Sequence, residues 1–285
     1  MTEPRMHTTP STDGVEVTWY EHGGTGPLLA LCHATGFHGR CYDVMAAVLV
    51  RDFTVIAVDV RGHGRTERPA GVSMAWIGAA NDVHAAVEAA RAAGLGDGSA
   101  TFGFGHSMGG CAATLAELEF PGTFDAIWGF EPIIFPTPEM GTVHESPLVQ
   151  GARRRRDHFD SIEEVRERYG SKLPLSLLDP RCLDDYVTHG FRPADGGGVT
   201  LRCTPENEAQ TFEHSLAGVY ERLADLRARF GVAHSGDGEM PAVMGARLCA
   251  ENSHFVPFPY PDLTHFGPFQ QPERIAADLR AFFAG

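Results

Sequence analysis

Apolar positions in this chain fall in short runs, and the runs alternate with segments of helical periodicity. Residues 15–20, VEVTWY, alternate with a period of two and predict an early antiparallel strand with one buried face. PLLALCH (27–33), FTVIAVD (53–59), ATFGFG (100–105) and FDAIWGFEP (124–132) are near-continuous apolar runs of strand length, as strands covered on both faces require. Helical spacing follows them in MAAVLV (45–50), AWIGAANDVHAAVEAARAAG (75–94) and CAATLAELE (111–119). Strands alternating with helices imply an α/β fold, a mostly parallel sheet flanked by helices.

After residue 132 the rhythm stops. A Pro-rich, then Arg-rich and polar stretch follows, and strand signals return weakly at RFGVAHSG (229–236) and HFVPFPY (254–260). The final segment, PERIAADLRAFFAG, spaces Ile275, Leu279 and Phe282 for burial on one helical face. The expected organisation is a core in two parts, residues 1–134 and 215–285, with a helical cap inserted at 135–214.

Composition narrows the function classes. The chain has 285 residues, 43% of them hydrophobic, enough for a full core, and a formal net charge of -14 that repels nucleic acid and anionic membrane surfaces. The opening MTEPRMHTTPSTDG has no apolar signal-peptide core, and no run of ~18 apolar residues occurs, so a soluble, cytoplasmic protein is expected. Six cysteines are scattered without a C-x-x-C pair and read as reduced, mostly buried thiols. Histidines lack H-x-x-x-H spacing on a helix, and no G-x-G-x-x-G follows the first strand. Neither a metal nor an organic cofactor is therefore expected, and the partner is a small-molecule substrate.

The chemistry centres on TFGFGHSMGG. Gly105, Ser107 and Gly109 satisfy G-x-S-x-G between a strand and a helix, the setting of a nucleophile elbow. The glycines keep side chains away from the strand and helix crowding a strained serine, and the helix N-terminus lies beside its hydroxyl. A serine hydroxyl is a weak nucleophile at neutral pH, so a histidine base and an orienting carboxylate must follow. His265, in DLTHFGPFQQPE, sits in the loop after the last strand, at the carboxyl edge of the sheet. The oxyanion needs two backbone N–H donors, and the loop in LCHATGFHG makes Thr35 and Met108 those donors.

In order and spacing, CHATGFHG, DVRGHGRT, GHSMGG and THFGPFQQPE resemble the motifs of the α/β-hydrolase family, over residues 15–132 and, less strongly, from 217 to the end. The resemblance implies a serine hydrolase with a cap. His33 and the turn containing Asp59 correspond to loop-fixing features, with Asp59 capping or ion-pairing locally. The carboxylate is open between two positions. Asp237 follows the strand after the cap, whereas Glu131 follows the strand before it, the position used by dehalogenase-like members; Glu239 and Asp262 are further carboxylates nearby.

In the cap, Arg153 to Arg156 are read as lying on a helix, where at most one or two face a pocket and the others pair with Asp157, Glu163 and Glu164 on a solvated face. Phe135, Leu173, Leu175 and Leu177 fit either an apolar pocket or packing of cap on core. The expected activity is hydrolysis of a carboxylic ester, lactone or thioester of a small apolar molecule through a Ser107 acyl-enzyme. The same groups serve carbon–carbon bond hydrolysis or perhydrolysis, and the same fold serves as a ligand receptor that does not turn over.

Overall fold

The computed structural model describes residues 3–136, 146–215 and 218–285. Its first half runs β1 (Arg5–Pro10), β2 (Glu16–Gly23), β3 (Leu28–Cys32), α1 (Asp43–Leu49), β4 (Thr54–Asp59), α2 (Trp76–Ala92), β5 (Thr101–His106), α3 (Met108–Glu119) and β6 (Ala126–Phe130). An excursion follows, with α4 (Pro147–Arg153), β7 (His158–Phe159), α5 (Ile162–Gly170), α6 (Pro180–Gly190), β8 (Phe191–Pro193), β9 (Val199–Leu201) and α7 (Pro205–Glu213). The chain then returns through β10 (Arg229–Ser235), α8 (Met240–Glu251), β11 (Val256–Tyr260), α9 (Gly267–Gln270) and α10 (Pro272–Ala284).

Eight strands form one sheet in the order β1-β2-β4-β3-β5-β6-β10-β11, antiparallel across β1-β2-β4 and parallel from β4 to β11. The apolar runs become strands buried on both faces because alternate side chains serve different layers. Leu29 and Leu31 join Val55, Ala57, Phe104 and Trp128 on the face covered by α1 and α10, where Ile275, Leu279 and Phe282 are buried. Leu28, Ala30 and Cys32 join Ile56 and Val58 on the face covered by α2 and α3. The half-exposed edge strand β1 is an addition to what the polar amino terminus suggested; its weak alternation hides it, and β2 recruits it through six residue pairs.

The excursion adds a small sheet, β7-β9-β8, and its apolar side chains, among them Phe159, Val165, Tyr186 and Phe191, belong to the same cluster as Leu29 and Trp128. Of the leucines expected beneath it, Leu173 and Leu177 are exposed, and only Leu175 packs against that cluster. Residues 137–145 and 216–217, which include part of the Pro-rich stretch, lie outside the described residues.

Asp59, at the end of β4, is fully buried and makes no ion pair among the described residues. It accepts hydrogen bonds from Gly39 N–H (2.7 Å), Arg65 N–H (2.8 Å) and the Tyr20 hydroxyl (2.9 Å), tying β2 to two loops. Asp59→Ala strands three donors in the interior and is expected to cost about 3 kcal/mol or more. Urea unfolding checks this; a loss below about 1 kcal/mol contradicts the role assigned to Asp59.

Candidate active site

The end of β5 and the start of α3 press two backbones together. A Cβ at Gly105 would lie 2.4 Å from Gly110 Cα, and one at Gly109 would lie 2.2 Å from Cys32 O. Glycine at both positions lets the strand pass into the helix within one residue, Ser107, whose φ of 56° and ψ of -119° are strained for a residue with a side chain. Only three non-glycine residues among those described have positive φ, and Glu131 (φ 44°) is another of them. Both are held by neighbouring strand ends: Ser107 N–H donates to Phe130 O (2.9 Å), and Glu131 N–H donates to Ala233 O (2.8 Å).

Glu131 is completely buried beyond the end of β6. One carboxylate oxygen accepts from Ser235 N–H at 2.6 Å and the other accepts from His265 Nδ1 at 2.5 Å. Burial without these partners would be prohibitive for a charge; with them the carboxylate is held by charge-assisted bonds. The bond to Nδ1 fixes the His265 tautomer and leaves Nε2 as the free ring nitrogen. Ser107 is also nearly buried, and its hydroxyl makes no hydrogen bond among the described residues.

Asp237, the other expected acid, does not reach the ring. Its Oδ1 accepts from Glu239 N–H (2.9 Å) and its Oδ2 from the backbone N–H of His265 (3.0 Å). The reason is local: Gly236 lies against Pro261, so β10 turns immediately and Asp237 closes an exposed turn. It anchors the loop that carries His265. Asp262 is taken by Arg274 (2.6 Å), and Glu239 is exposed at the start of α8.

The loop carrying His265 has a second anchor that the sequence reading passed over. His106 Nε2 donates to the carbonyl of His265 (2.8 Å), while its Nδ1 accepts from the Tyr42 hydroxyl (3.1 Å). The clue was the histidine directly before Ser107, which the strand directs away from the serine and into the interior.

Residues 34–37 form a tight turn closed by Phe37 N–H to Ala34 O (3.1 Å), with Gly36 at φ 79°. His33 braces it, with Nδ1 donating to Ala34 O (2.8 Å) and Nε2 accepting from Val60 N–H (3.1 Å). Thr35 N–H and Met108 N–H, the expected oxyanion donors, sit at the middle of this turn and at the first position of α3, where neither is required by the local hydrogen bonding. Phe37 stacks on Phe269 with ring centres 4.8 Å apart and lies 6.0 Å from Phe266, making an aromatic wall.

Of the four consecutive arginines, only Arg153 is helical. Arg153 pairs with Glu206 and Glu213, and Arg156 pairs with Glu164. Arg155 turns inward: it bonds to Glu208 (2.8 Å) and to the hydroxyls of Tyr169 and Tyr186, and together with Glu208 it lies over Gly36. One grouping of potential metal ligands occurs among the described residues: Asp43, Asp185 and His189 bring ligand atoms within 4.8 Å of one another. Arg40 already bonds to Asp43, and the group contains none of the residues around Ser107.

The α/β layering, the strained serine and the histidine–carboxylate contact can now be set beside known proteins. Residues 25–165 match the family described as serine aminopeptidase, S33. The E-2-(acetamidomethylene)succinate hydrolase structure superposes on 99% of this chain and all of its own with a TM-score of 0.83 at 16% identity. The chain has the α/β-hydrolase fold. An esterase from Rhodococcus sp. ECU1013 shares the fold at a TM-score of 0.74, 20% identity and 98% of each chain. By sequence, the monoglyceride lipase of Homo sapiens is 31% identical over 125 residues, 44% of this chain and 41% of the lipase. The 2-(acetamidomethylene)succinate hydrolase of Mesorhizobium japonicum is 28% identical over 174 residues, 61% of this chain and 58% of that protein. The chain thus spans about half the length of the curated relatives it matches. No helix among the described residues is long and apolar enough to cross a membrane.

The histidines beneath the site set its pH tolerance. Burial pulls His33 and His63 down to about 4 and His106 well below the ordinary imidazole range. An unfolded histidine titrates near ~6.5. Below that pH the unfolded chain takes up protons that the folded one refuses, so the stability from neutral His33 and His63 is present above pH ~6.5 and is lost as pH falls towards 4. Each accounts for about 3 kcal/mol across that window. Urea midpoints are expected to hold from pH ~8 to ~6.5 and to drop steeply by pH ~5; equal midpoints at pH ~7 and ~5 contradict the assignment.

Proposed function

We propose that this protein is a serine hydrolase that cleaves a carboxylic ester, lactone or thioester of a small apolar molecule through a Ser107–His265–Glu131 triad. The observation carrying the reading is the His265 Nδ1 bond to buried Glu131, on the same sheet edge as the strained Ser107. His265 Nε2 takes the Ser107 proton as Oγ attacks the acyl carbon, and Glu131 stabilises the imidazolium that forms. Thr35 and Met108 N–H groups donate to the oxyanion of the tetrahedral intermediate. Collapse expels the alcohol or thiol, which takes the proton from Nε2. Water, deprotonated by the same nitrogen, then releases the acid and restores Ser107.

The excursion between β6 and β10 acts as the cap in this reading, with Tyr186 and the Arg155–Glu208 pair above the oxyanion turn and Phe37, Phe266 and Phe269 as the apolar wall. Because Glu208 neutralises Arg155, an uncharged acyl group fits this part of the site better than a carboxylate. The monoglyceride lipase to which the chain is similar, and the Rhodococcus esterase that shares its fold, are named for ester hydrolysis, which supports this reading.

Turnover of short p-nitrophenyl esters tests the reading. Ser107→Ala is expected to lose ~10⁴-fold or more in kcat with folding intact. Glu131→Gln keeps an acceptor for Ser235 N–H but presents an NH₂ to the His265 ring, selecting the wrong tautomer, and is expected to lose ~10²- to 10⁴-fold. Asp237→Asn removes charge from a backbone contact and is expected to lose less than ~10-fold. A larger loss in Asp237→Asn than in Glu131→Gln overturns the acid assignment, and labelling of Ser107 by a fluorophosphonate with no turnover of any ester favours the receptor alternative.

A further inference from the structure

Arginines in this acidic chain generally sit on carboxylates: Arg40 on Asp43 and Glu3, Arg61 on Asp82 and Asp13, Arg155 on Glu208, Arg274 on Asp262. Of those that do not, four line one cavity of about 530 Å³ between the turn after β4 and the segment running from β8 into α7. These are Arg65, Arg68, Arg192 and Arg202. Glu67, the one carboxylate on the lining, is exposed and pairs with none of them.

Two of the four guanidiniums are held in place by neutral acceptors. Arg68 Nε donates to Val72 O (2.6 Å) and its Nη1 to Asn207 Oδ1 (3.3 Å); Arg202 Nε donates to Phe191 O (3.1 Å). Arg65 and Arg192 are exposed, and their side chains have no hydrogen-bond partner among the described residues. Burial first, and then the positive charges of Arg65 and Arg192, hold the Arg202 guanidinium below the usual arginine range. Four like charges gathered in one concavity repel one another, in a chain with 37 acidic residues available to neutralise them. An anion seated among them removes that repulsion and gains charge-assisted bonds from planar guanidinium donors.

We propose that this cavity is a binding site for a small polyanion carrying at least two negative charges, a diphosphate or a tricarboxylate. Its lining contains none of Ser107, His265, Glu131, Thr35 or Met108, so the site stands independently of the hydrolase reading. Because the lining joins the β4 turn to the excursion, a bound anion clamps the two together and stabilises the folded chain.

The test is calorimetric titration of the full chain with pyrophosphate and, separately, with citrate, at about 50 mM and about 200 mM salt. One saturable equivalent of either anion, weakening at the higher salt, is expected, and whichever binds tighter identifies the ligand as phosphate- or carboxylate-bearing. The Arg65→Gln/Arg192→Gln variant alters exposed side chains without partners and removes two of the repelling charges, so its thermal midpoint without anion should equal or exceed that of the unaltered protein while its affinity falls at least ~10-fold. Its turnover of p-nitrophenyl esters should be unchanged. No saturable binding of either anion, several weak equivalents in place of one, or unchanged affinity in the double variant overturns the proposal.

Discussion

The buried carboxylate of Glu131 is the contact on which the rest of the site depends. It lies one residue beyond β6, and its two oxygens reach a backbone N–H at the end of β10 and the imidazole of the loop after β11. Three strands adjacent in space are thus tied together at their carboxyl ends by one side chain that solvent does not reach. A charge placed there without both partners would be expelled or neutralised, so the same bonds that orient His265 make burial of Glu131 tolerable. The strain at Glu131 and Ser107, each at positive φ, is sustained by the parallel ladder immediately behind them.

Support for His265 comes from both sides of its own residue. Asp237 accepts from the His265 N–H while His106 donates to the His265 carbonyl, so the backbone is pinned at its donor and its acceptor before the ring is considered. His106 is in turn fixed by Tyr42, and His33 holds the turn that carries Thr35. The site is therefore built from a shell of neutral, buried histidines, which gives rigid geometry near neutral pH and makes the fold sensitive to acid.

Much of the core was legible in the sequence because each apolar run has to serve two layers: LLALC and TVIAVD have no polar face to offer and can only be central strands. The strained turn at Ser107 and the loop that carries His265 were legible from the turn chemistry around them. Which carboxylate contacts His265 was not, because Glu131 and Asp237 occupy equivalent-looking positions after two strands, and which one reaches the ring depends on how sharply the chain turns at Gly236. The arginine run misled in a similar way. Four consecutive residues were treated as helical, but α4 ends at Arg153, and the irregular backbone beyond it lets Arg155 turn inward against Tyr169 and Tyr186. Edge strand β1 was hidden by a polar composition that its partner β2 tolerates on a solvated margin.

The most direct measurement of the central claim is the rate at which a fluorophosphonate modifies Ser107, followed by intact mass, in the unaltered protein, Glu131→Gln and Asp237→Asn. Labelling needs only an activated serine and does not depend on the identity of the substrate. The account predicts one equivalent on Ser107, a rate at least ~100-fold lower in Glu131→Gln, and a rate in Asp237→Asn within ~10-fold of the unaltered protein. Slow labelling in Asp237→Asn with near-normal labelling in Glu131→Gln would contradict it.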